Sequence, residues 1–416
     1  MRKTIFRLTP FLLLPLLLFT SCSSKKKSQR LEYMKTIPVE QRNNYFAFDI
    51  FNKINTGEEK NIVISPFSIS TAMAMTYAGA RGETAREMAM TLAFHPEQDV
   101  FHPEFSAWLN AIEEKGRKNN SLLVANSLWP HEGYHFRDEY FQLLRNYYRT
   151  GFYEVDYTGD REAIRNRINN WVANRTNNLI KDLIKPGVLI EDTRLVLVNA
   201  IYFLEQWQIA FDPDATHDNI FYTSDGQEVT TPLMFMRDRF RYTENDDFQA
   251  IELQYKGGDF SMVIMLPTEG NSLSNLTENL DPSSFNRINQ EMMFEDVEVY
   301  LPSFQIRSGF DLERTLIAMG MPLAFSNRAD FGGMTTANDL KIDKVIHQAF
   351  IDVKEEGTEA AASTAVVMIR KSAVINDDKT IFRADRPFVY FIKENQGNSI
   401  IFMGKVGDPT VKPTDG

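Results

Sequence analysis

The segment 193–207, TRLVLVNAIYFLEQW, constrains the fold more than any other part of this chain. β-Branched and aromatic side chains fill most of it, and a run of that composition is typical of a strand buried inside a protein. Shorter runs of the same kind lie at 62–64, 260–267 and 297–306. We therefore predict a core built around β-strands.

Helical patterns lie between these strands. Apolar residues recur near helical spacing over 41–55, and 162–184 is predicted to be a longer amphipathic helix. Ser65 and Pro66 should end the first short strand, and Ser68 is the predicted start of the helix that follows.

Near the C-terminus, 383–406 is predicted to be a hairpin, because two apolar arms flank a turn at Asn395, Gly397 and Asn398. Across the whole chain, helices and strands mix without strict alternation. This indicates an α+β fold in one large domain.

Residue patterns for catalysis, metals and nucleotides are missing from the sequence. His131 and His135 are four residues apart, but Gly133 between them indicates a loop rather than a metal-binding helix. No glycine-flanked serine and no glycine-rich phosphate loop occurs. The formal net charge of −11 argues against nucleic-acid binding. We expect no enzyme activity, no metal and no cofactor, and only a Ser-His-Asp arrangement assembled in space stays open.

The first 22 residues, MRKTIFRLTPFLLLPLLLFTSC, have a basic start, an apolar middle and small residues before Cys22, the only cysteine. This pattern predicts an export signal. It resembles a bacterial lipoprotein signal, in which residues 1–21 are removed and Cys22 is lipidated. Residues 22–37 would then be a polar tether, and the protein would be lipid-anchored in the bacterial cell envelope, periplasmic or at the cell surface. The alternative is a plain secretory signal with an incidental cysteine.

Several longer motifs occur in an order that resembles the serpin family. They are NIVISPFSI at 61–69, NAIYFLEQW at 199–207, LPSFQI at 301–306, KVIHQAFIDVKEEGTEAAAST at 344–364 and RPFVYFI at 386–392. The resemblance implies a single serpin domain over 38–410, with three β-sheets, surrounding helices and an exposed reactive loop near the C-terminus. The hinge and the reactive loop would lie within 353–382.

The resemblance also implies a function, which is the suicide-type inhibition of serine proteases by a monomer. A target protease would cleave the loop and become trapped in a covalent complex while the loop inserts as a strand. Counted from Glu355, the cleaved bond is predicted between Lys371 and Ser372, with Arg370 as an alternative and Lys379 as a weaker one. The lysine favours trypsin-like proteases, with elastase-like or cysteine proteases as further targets.

Other positions that match the family have structural roles. The predicted hinge residues are Glu355, Glu356, Gly357, Thr358, Glu359, Ala360, Ala361, Ala362, Ser363 and Thr364. The residues that match the family's shutter and breach regions, where the main sheet opens, are Ser65, Ser68, Asn199, Trp207 and His347.

The hinge itself supports insertion on physical grounds. With Thr358 as the first residue to enter, alternate residues up to Met368 share its face of the strand and none of them is charged. Arg370 is the first cation on the same face of the strand as Thr358. It should stop insertion, since burying it unpaired is costly. Two other hypotheses stay open, namely a non-inhibitory serpin that binds or stores, and an envelope hydrolase or solute-binding lipoprotein.

Overall fold

The computed structural model describes residues 29–57, 60–118, 122–148, 150–337, 339–358 and 379–412. Its helices lie mainly in the first half of the chain and in one later group. Besides a helical stretch over 29–34, they are α1 (Val39–Ile54), α2 (Pro66–Tyr77), α3 (Gly82–Thr91), α4 (Gln98–Lys118), α5 (Asp138–Tyr148), α6 (Arg161–Arg175), α7 (Leu273–Glu278), α8 (Pro282–Glu291) and α9 (Glu313–Met319). In these described ranges, no helix is both long enough and apolar enough to cross a bilayer.

The larger sheet has nine strands among the described residues. They are β1 (Asn61–Ile64), β6 (His217–Tyr222), β7 (Glu228–Glu244), β8 (Phe248–Gln254), β9 (Phe260–Pro267), β10 (Met293–Pro302), β14 (Thr380–Arg383), β15 (Phe388–Glu394) and β16 (Ser399–Val406). The order is β1-β16-β15-β9-β8-β7-β10-β14, and β6 pairs with β7. Antiparallel β15 and β16 form the hairpin that the sequence predicts, with its turn at 395–398.

The second sheet has seven strands in the same described ranges. They are β2 (Leu122–Pro130), β3 (Gly151–Phe152), β4 (Leu195–Phe203), β5 (Glu205–Gln206), β11 (Phe304–Asp311), β12 (Ile346–Lys354) and β13 (Gly357–Thr358). The order is β3-β2-β4-β12-β13-β5, and β11 pairs with β12. The α+β fold class is therefore confirmed.

The number of sheets differs from the expected three, because β7 joins two of them. This strand is 17 residues long. Its residues up to Tyr242 pair with β6 and β10, whereas its last four residues, from Arg241, pair with β8. Hydrogen bonding therefore passes from one half of the larger sheet into the other without a break.

The long apolar run forms a strand that is buried on both faces, as predicted. Ile201 and Phe203 of β4 pack into the main core, while Val198 and Ala200 pack into a second cluster with Ile168 of α6. Residues on opposite faces of one strand thus reach two different cores, which explains why this run has no polar alternation.

Several predicted boundaries were wrong. The helix predicted over 162–184 ends at Arg175, and Asn177 and Asn178 follow it with φ values of 50° and 62°. Asparagine tolerates this left-handed conformation better than most residues, so the pair ends the helix. Predicted strands split as well, with 193–207 forming β4 and β5 and 297–306 spanning β10 and β11.

The start of α2 also differs by a few residues from the prediction. The helix begins at Pro66 rather than at Ser68, and the Ser65 side chain caps it by accepting a hydrogen bond from the Ser68 backbone N–H at 3.2 Å. Proline suits the first helical position because its missing N–H would have no partner there.

Candidate functional site

The candidate site is the seam where β4 and β12 lie side by side in the seven-stranded sheet. The two strands are parallel and pair over four residues, from His347 opposite Asn199 to Phe350 opposite Tyr202. Each strand is nine residues long. Fewer than half of the possible pairs are therefore formed, and an antiparallel segment could replace them by pairing with both strands at once.

A buried polar cluster lies at the end of the seam where His347 pairs with Asn199, and it links the seam to α2. The Ser65 hydroxyl donates to the Ile401 carbonyl oxygen at 2.7 Å, and the Ser68 hydroxyl donates to Asn199 Oδ1 at 2.7 Å. The Asn199 amide donates back to the Ser68 carbonyl oxygen at 2.8 Å. With His347, these residues are called the shutter cluster below. The structure thus brings together four of the residues that the sequence singles out.

His347 is the cluster's only titratable group, and its geometry fixes its protonation. Nε2 accepts a hydrogen bond from the Ser65 backbone N–H at 3.1 Å, so the proton lies on Nδ1, which faces Asn199 Oδ1 at 3.4 Å. Complete burial lowers the pKa of His347 from 6.5 to about 3. The ring is therefore neutral near pH 7, as a partner of uncharged amide and hydroxyl groups should be.

One member of this network was missed in the sequence. Asn126 of β2 accepts a hydrogen bond from the Asn199 side-chain amide at 2.7 Å across an antiparallel pair. The available signal was the polar pair Asn126 and Ser127 inside the otherwise apolar run LLVANSLWP at 122–130. Asn126 extends the network from the seam to the neighbouring strand.

The opposite end of the seam, where β12 ends, holds a tight turn over residues 354–358, which is called the hinge turn below. β12 ends at Lys354, the chain reverses through Glu355 and Glu356, and β13 returns antiparallel to β12. Thr358 pairs with Val353 on one side and with Glu205 of β5 on the other. Gly357 and Thr358, the last two residues of the hinge turn, therefore already lie between two strands, and Thr358 is 0% exposed.

Gly357 is required by the close approach of β5. A Cβ atom added there would lie 2.2 Å from the Glu205 carbonyl oxygen and 2.6 Å from the Gln206 Cα atom. Both are backbone atoms, which cannot turn away as a side chain can. Any larger residue would therefore force β13 and β5 apart.

Trp207 holds the hinge turn in place. Its indole N–H donates to the Lys354 carbonyl oxygen at 3.0 Å, and its backbone N–H donates to the Glu356 carbonyl oxygen at 2.9 Å. The indole stacks on Tyr255 with ring centroids 4.5 Å apart. Tyr255 in turn forms a hydrogen bond of 2.7 Å through its hydroxyl to Thr358 Oγ1.

Two contacts around the turn could not have been found in the sequence. Tyr255 directly follows β8 and is distant in the chain from the residues it contacts, and an isolated antiparallel bridge to Trp207 places it there. Glu355 accepts a hydrogen bond from the Thr216 hydroxyl at 3.0 Å through its carboxylate, and its carbonyl oxygen accepts one from the Phe211 N–H. The turn is thus bonded on both sides.

The remaining predicted site residues lie outside the described residues. They are Glu359, Ala360, Ala361, Ala362, Ser363, Thr364, Arg370, Lys371, Ser372 and Cys22. Lys379, the weaker candidate, is described and forms an ion pair of 3.0 Å with Glu298. Throughout the described ranges, no three histidine, cysteine, aspartate or glutamate side chains come together as metal ligands.

Comparison with known proteins defines the class to which this fold and its seam belong. The family model for serpins, described as serine protease inhibitors, matches residues 41–409. A leukocyte elastase inhibitor of Sus scrofa is 37% identical over 376 residues, covering 88% of this chain and 98% of the relative. An uncharacterized serpin-like protein of Methanosarcina mazei is 36% identical over 393 residues, covering 93% of this chain and 91% of the relative.

Solved structures agree with the sequence comparisons. Uncleaved ovalbumin superposes with a TM-score of 0.80 at 27% identity, covering 90% of this chain and 100% of ovalbumin. Human thyroxine-binding globulin superposes with a TM-score of 0.79 at 26% identity, covering 92% and 100%. The chain belongs to the serpin family. Serpins are generally protease inhibitors rather than catalysts, but relatives named for elastase inhibition and for thyroxine binding show that membership alone does not define the role.

Proposed function

We propose that this protein is a suicide inhibitor of serine proteases that traps its target by inserting its own loop into the seam between β4 and β12. The observation that carries the proposal is the position of β13. Gly357 and Thr358 already occupy the entrance, paired with β12 on one side and with β5 on the other. A non-inhibitory binding role gives no reason for a loop with one uncharged face to begin as a strand at that entrance.

The pairing of Thr358 also sets the register that the rest of the loop would take. In an antiparallel strand, each step forward is opposite one step back in each neighbour. Six residues after Thr358, Thr364 would lie opposite His347, because 353 − 6 = 347, and opposite Asn199, because 205 − 6 = 199. His347 and Asn199 are paired with each other now. The loop would therefore enter without either neighbour shifting its register.

The same register limits how far the loop can go. Ten residues after Thr358, Met368 would lie opposite Leu195, the first residue of β4, because 205 − 10 = 195. In this register, the residues that alternate with Thr358 would face the shutter cluster and the core, and they are uncharged up to Met368. Arg370 would fall beyond the strand. Insertion would thus end at Arg370, which is the first cation on the face of the loop that becomes buried.

The proposed chemistry uses the protease's own first step. The protease serine oxygen forms an ester with the Lys371 carboxyl carbon, the Lys371–Ser372 amide bond breaks, and the Ser372 nitrogen leaves with a proton as a new amine. Insertion then carries the ester and the attached protease along the sheet, and distortion of the protease prevents hydrolysis. Lys371 suits the acidic specificity pocket of a trypsin-like enzyme.

A single incubation with trypsin tests this function. We expect a complex that survives SDS and a released C-terminal peptide that begins at Ser372. A peptide that begins at Lys371 would move the cleaved bond to Arg370–Lys371. Cleavage of the loop with no stable complex would instead support the non-inhibitory role, and turnover of a substrate without loop cleavage would support an envelope hydrolase.

We further propose that the protein is held at a bacterial membrane through lipid on Cys22. The support is the order of basic, apolar and small residues that precedes this cysteine. Cys22→Ala should release the protein from membranes, because acyl chains would be its only strong attachment. Equal incorporation of labelled fatty acid into the wild type and the variant would refute the proposal.

A further inference from the structure

A cavity of about 210 Å³ lies beside Trp207, between the end of β5 and the strands β7, β8 and β10. Its walls are mostly apolar and are formed by Trp207, Ile209, Met236, Phe240, Leu253 and Phe294. Phe294 is 62% exposed, which is unusual for a phenylalanine with an apolar cavity next to it. Ligand pockets for drug-sized molecules span about 300–1,000 Å³. This cavity therefore fits a smaller ligand, about the size of a fused aromatic ring.

The charges around the cavity favour an anion. Its lining includes Arg239, Arg241 and Glu252. Glu252 is almost fully buried and is already bonded to Arg241 and, at 2.9 Å, to Lys393. In the part of the chain that the structure describes, the Arg239 guanidinium forms no ion pair within 4.0 Å, although Asp296 is its cross-strand neighbour, and it donates to the Phe294 carbonyl oxygen at 3.4 Å. Among the residues that line the cavity, two arginines therefore face one carboxylate, and Arg239 has N–H donors that are not used in an ion pair.

We propose that this cavity binds a small amphipathic anion, with its ring between Trp207, Phe240 and Phe294 and its carboxylate on Arg239. A bound ligand would contact the indole whose N–H holds the hinge turn. This inference does not depend on protease inhibition. The structure contains the apolar cavity and Arg239 whether or not the loop inserts.

Calorimetric titration with 2-naphthoate tests the proposal on the full-length protein. We expect saturable binding with one site per chain, and weaker binding of the neutral analogue 2-naphthalenemethanol. Arg239→Gln should weaken the binding of 2-naphthoate about tenfold, because it removes a charge-assisted hydrogen bond. Arg239→Lys should recover part of the affinity, since it restores the charge without the planar fork.

Arg86→Gln is the matched control. Arg86 of α3 carries the same charge and is bonded to Glu83 at 2.8 Å, but it does not line the cavity. This variant should bind 2-naphthoate as the wild type does. The proposal fails if no saturable binding occurs, if Arg239→Gln and Arg86→Gln bind equally well, or if the neutral alcohol binds as tightly as the acid. Unchanged melting temperatures of both variants would show that the comparison reports binding and not folding.

Discussion

Replacing Thr358 with arginine should convert the inhibitor into a substrate. Thr358 is fully buried between β12 and β5, and its hydroxyl is bonded to Tyr255. The substitution removes that hydrogen bond, which contributes about 1 kcal/mol, and burial of a guanidinium costs several kcal/mol unless it is paired. Glu205, opposite Thr358, offsets part of this cost but already has interactions of its own. The hinge should therefore leave the sheet in this variant.

The size of the increase in the insertion barrier decides the outcome, because loop insertion competes kinetically with hydrolysis of the acyl-enzyme. An increase of about 1.4 kcal/mol in the insertion barrier slows it tenfold. A net cost of about 2 kcal/mol would thus slow insertion about thirtyfold relative to hydrolysis and shift the outcome towards cleaved inhibitor. Cleavage of the loop should proceed at the same bond and at a similar rate, since the bond lies far along the chain from Thr358.

Glu359→Arg is the matched control because it introduces the same side chain one residue later. In the register set by Thr358, position 359 would lie opposite Asp352, because 353 − 1 = 352, on the face away from the shutter cluster. Asp352 already pairs with Lys354 at 2.7 Å and tolerates a cation beside it. This variant should still inhibit.

The assay measures SDS-stable complex and cleaved inhibitor at equal protease for the wild type and both variants. We expect almost only cleaved protein from Thr358→Arg and mainly complex from Glu359→Arg. If Thr358→Arg traps as well as the wild type, or if Glu359→Arg fails equally, then insertion does not start from this hinge and the parity reasoning is wrong.

Three further predictions follow from the site. Lys371→Ala should strongly weaken the inhibition of trypsin while affecting elastase-like targets less, and unchanged trypsin inhibition would show that another bond is used. Gly357→Ala should lower the melting temperature and impair trapping, since its Cβ would meet the Glu205 backbone; an unaltered melting temperature would contradict the close approach. The folded-state pKa of His347 is about 3, below its unfolded value of 6.5, so its stability contribution is complete above pH 6.5 and is lost as the pH falls towards 3. Urea unfolding should show that lowering the pH from 7 to 5 destabilises the wild type by about 2 kcal/mol more than His347→Gln, and an equal loss in both would refute the neutral, buried histidine.

The sequence alone determined the features that depend on local residue patterns. The run 193–207 predicted a buried strand because β-branched and aromatic side chains favour strands wherever both faces are covered. The hairpin at 383–406 followed from its turn residues, and the uncharged parity after Thr358 followed from the two-residue period of a strand. Motifs in family order then identified Ser65, Ser68, Asn199 and His347 together, although no pattern of spacing would have placed them in one cluster.

Only the tertiary structure decided which strands meet and in what register. Asn126 and Tyr255 joined the site through partners more than 70 residues away, and β7 merged two expected sheets by pairing at both of its ends. The alignment of Thr358 with both Val353 and Glu205 likewise appears in no stretch of the sequence. Such pairings arise because a strand's hydrogen bonds are made to distant segments, so the side chains of one strand fix which face is buried but not which neighbour lies beside it.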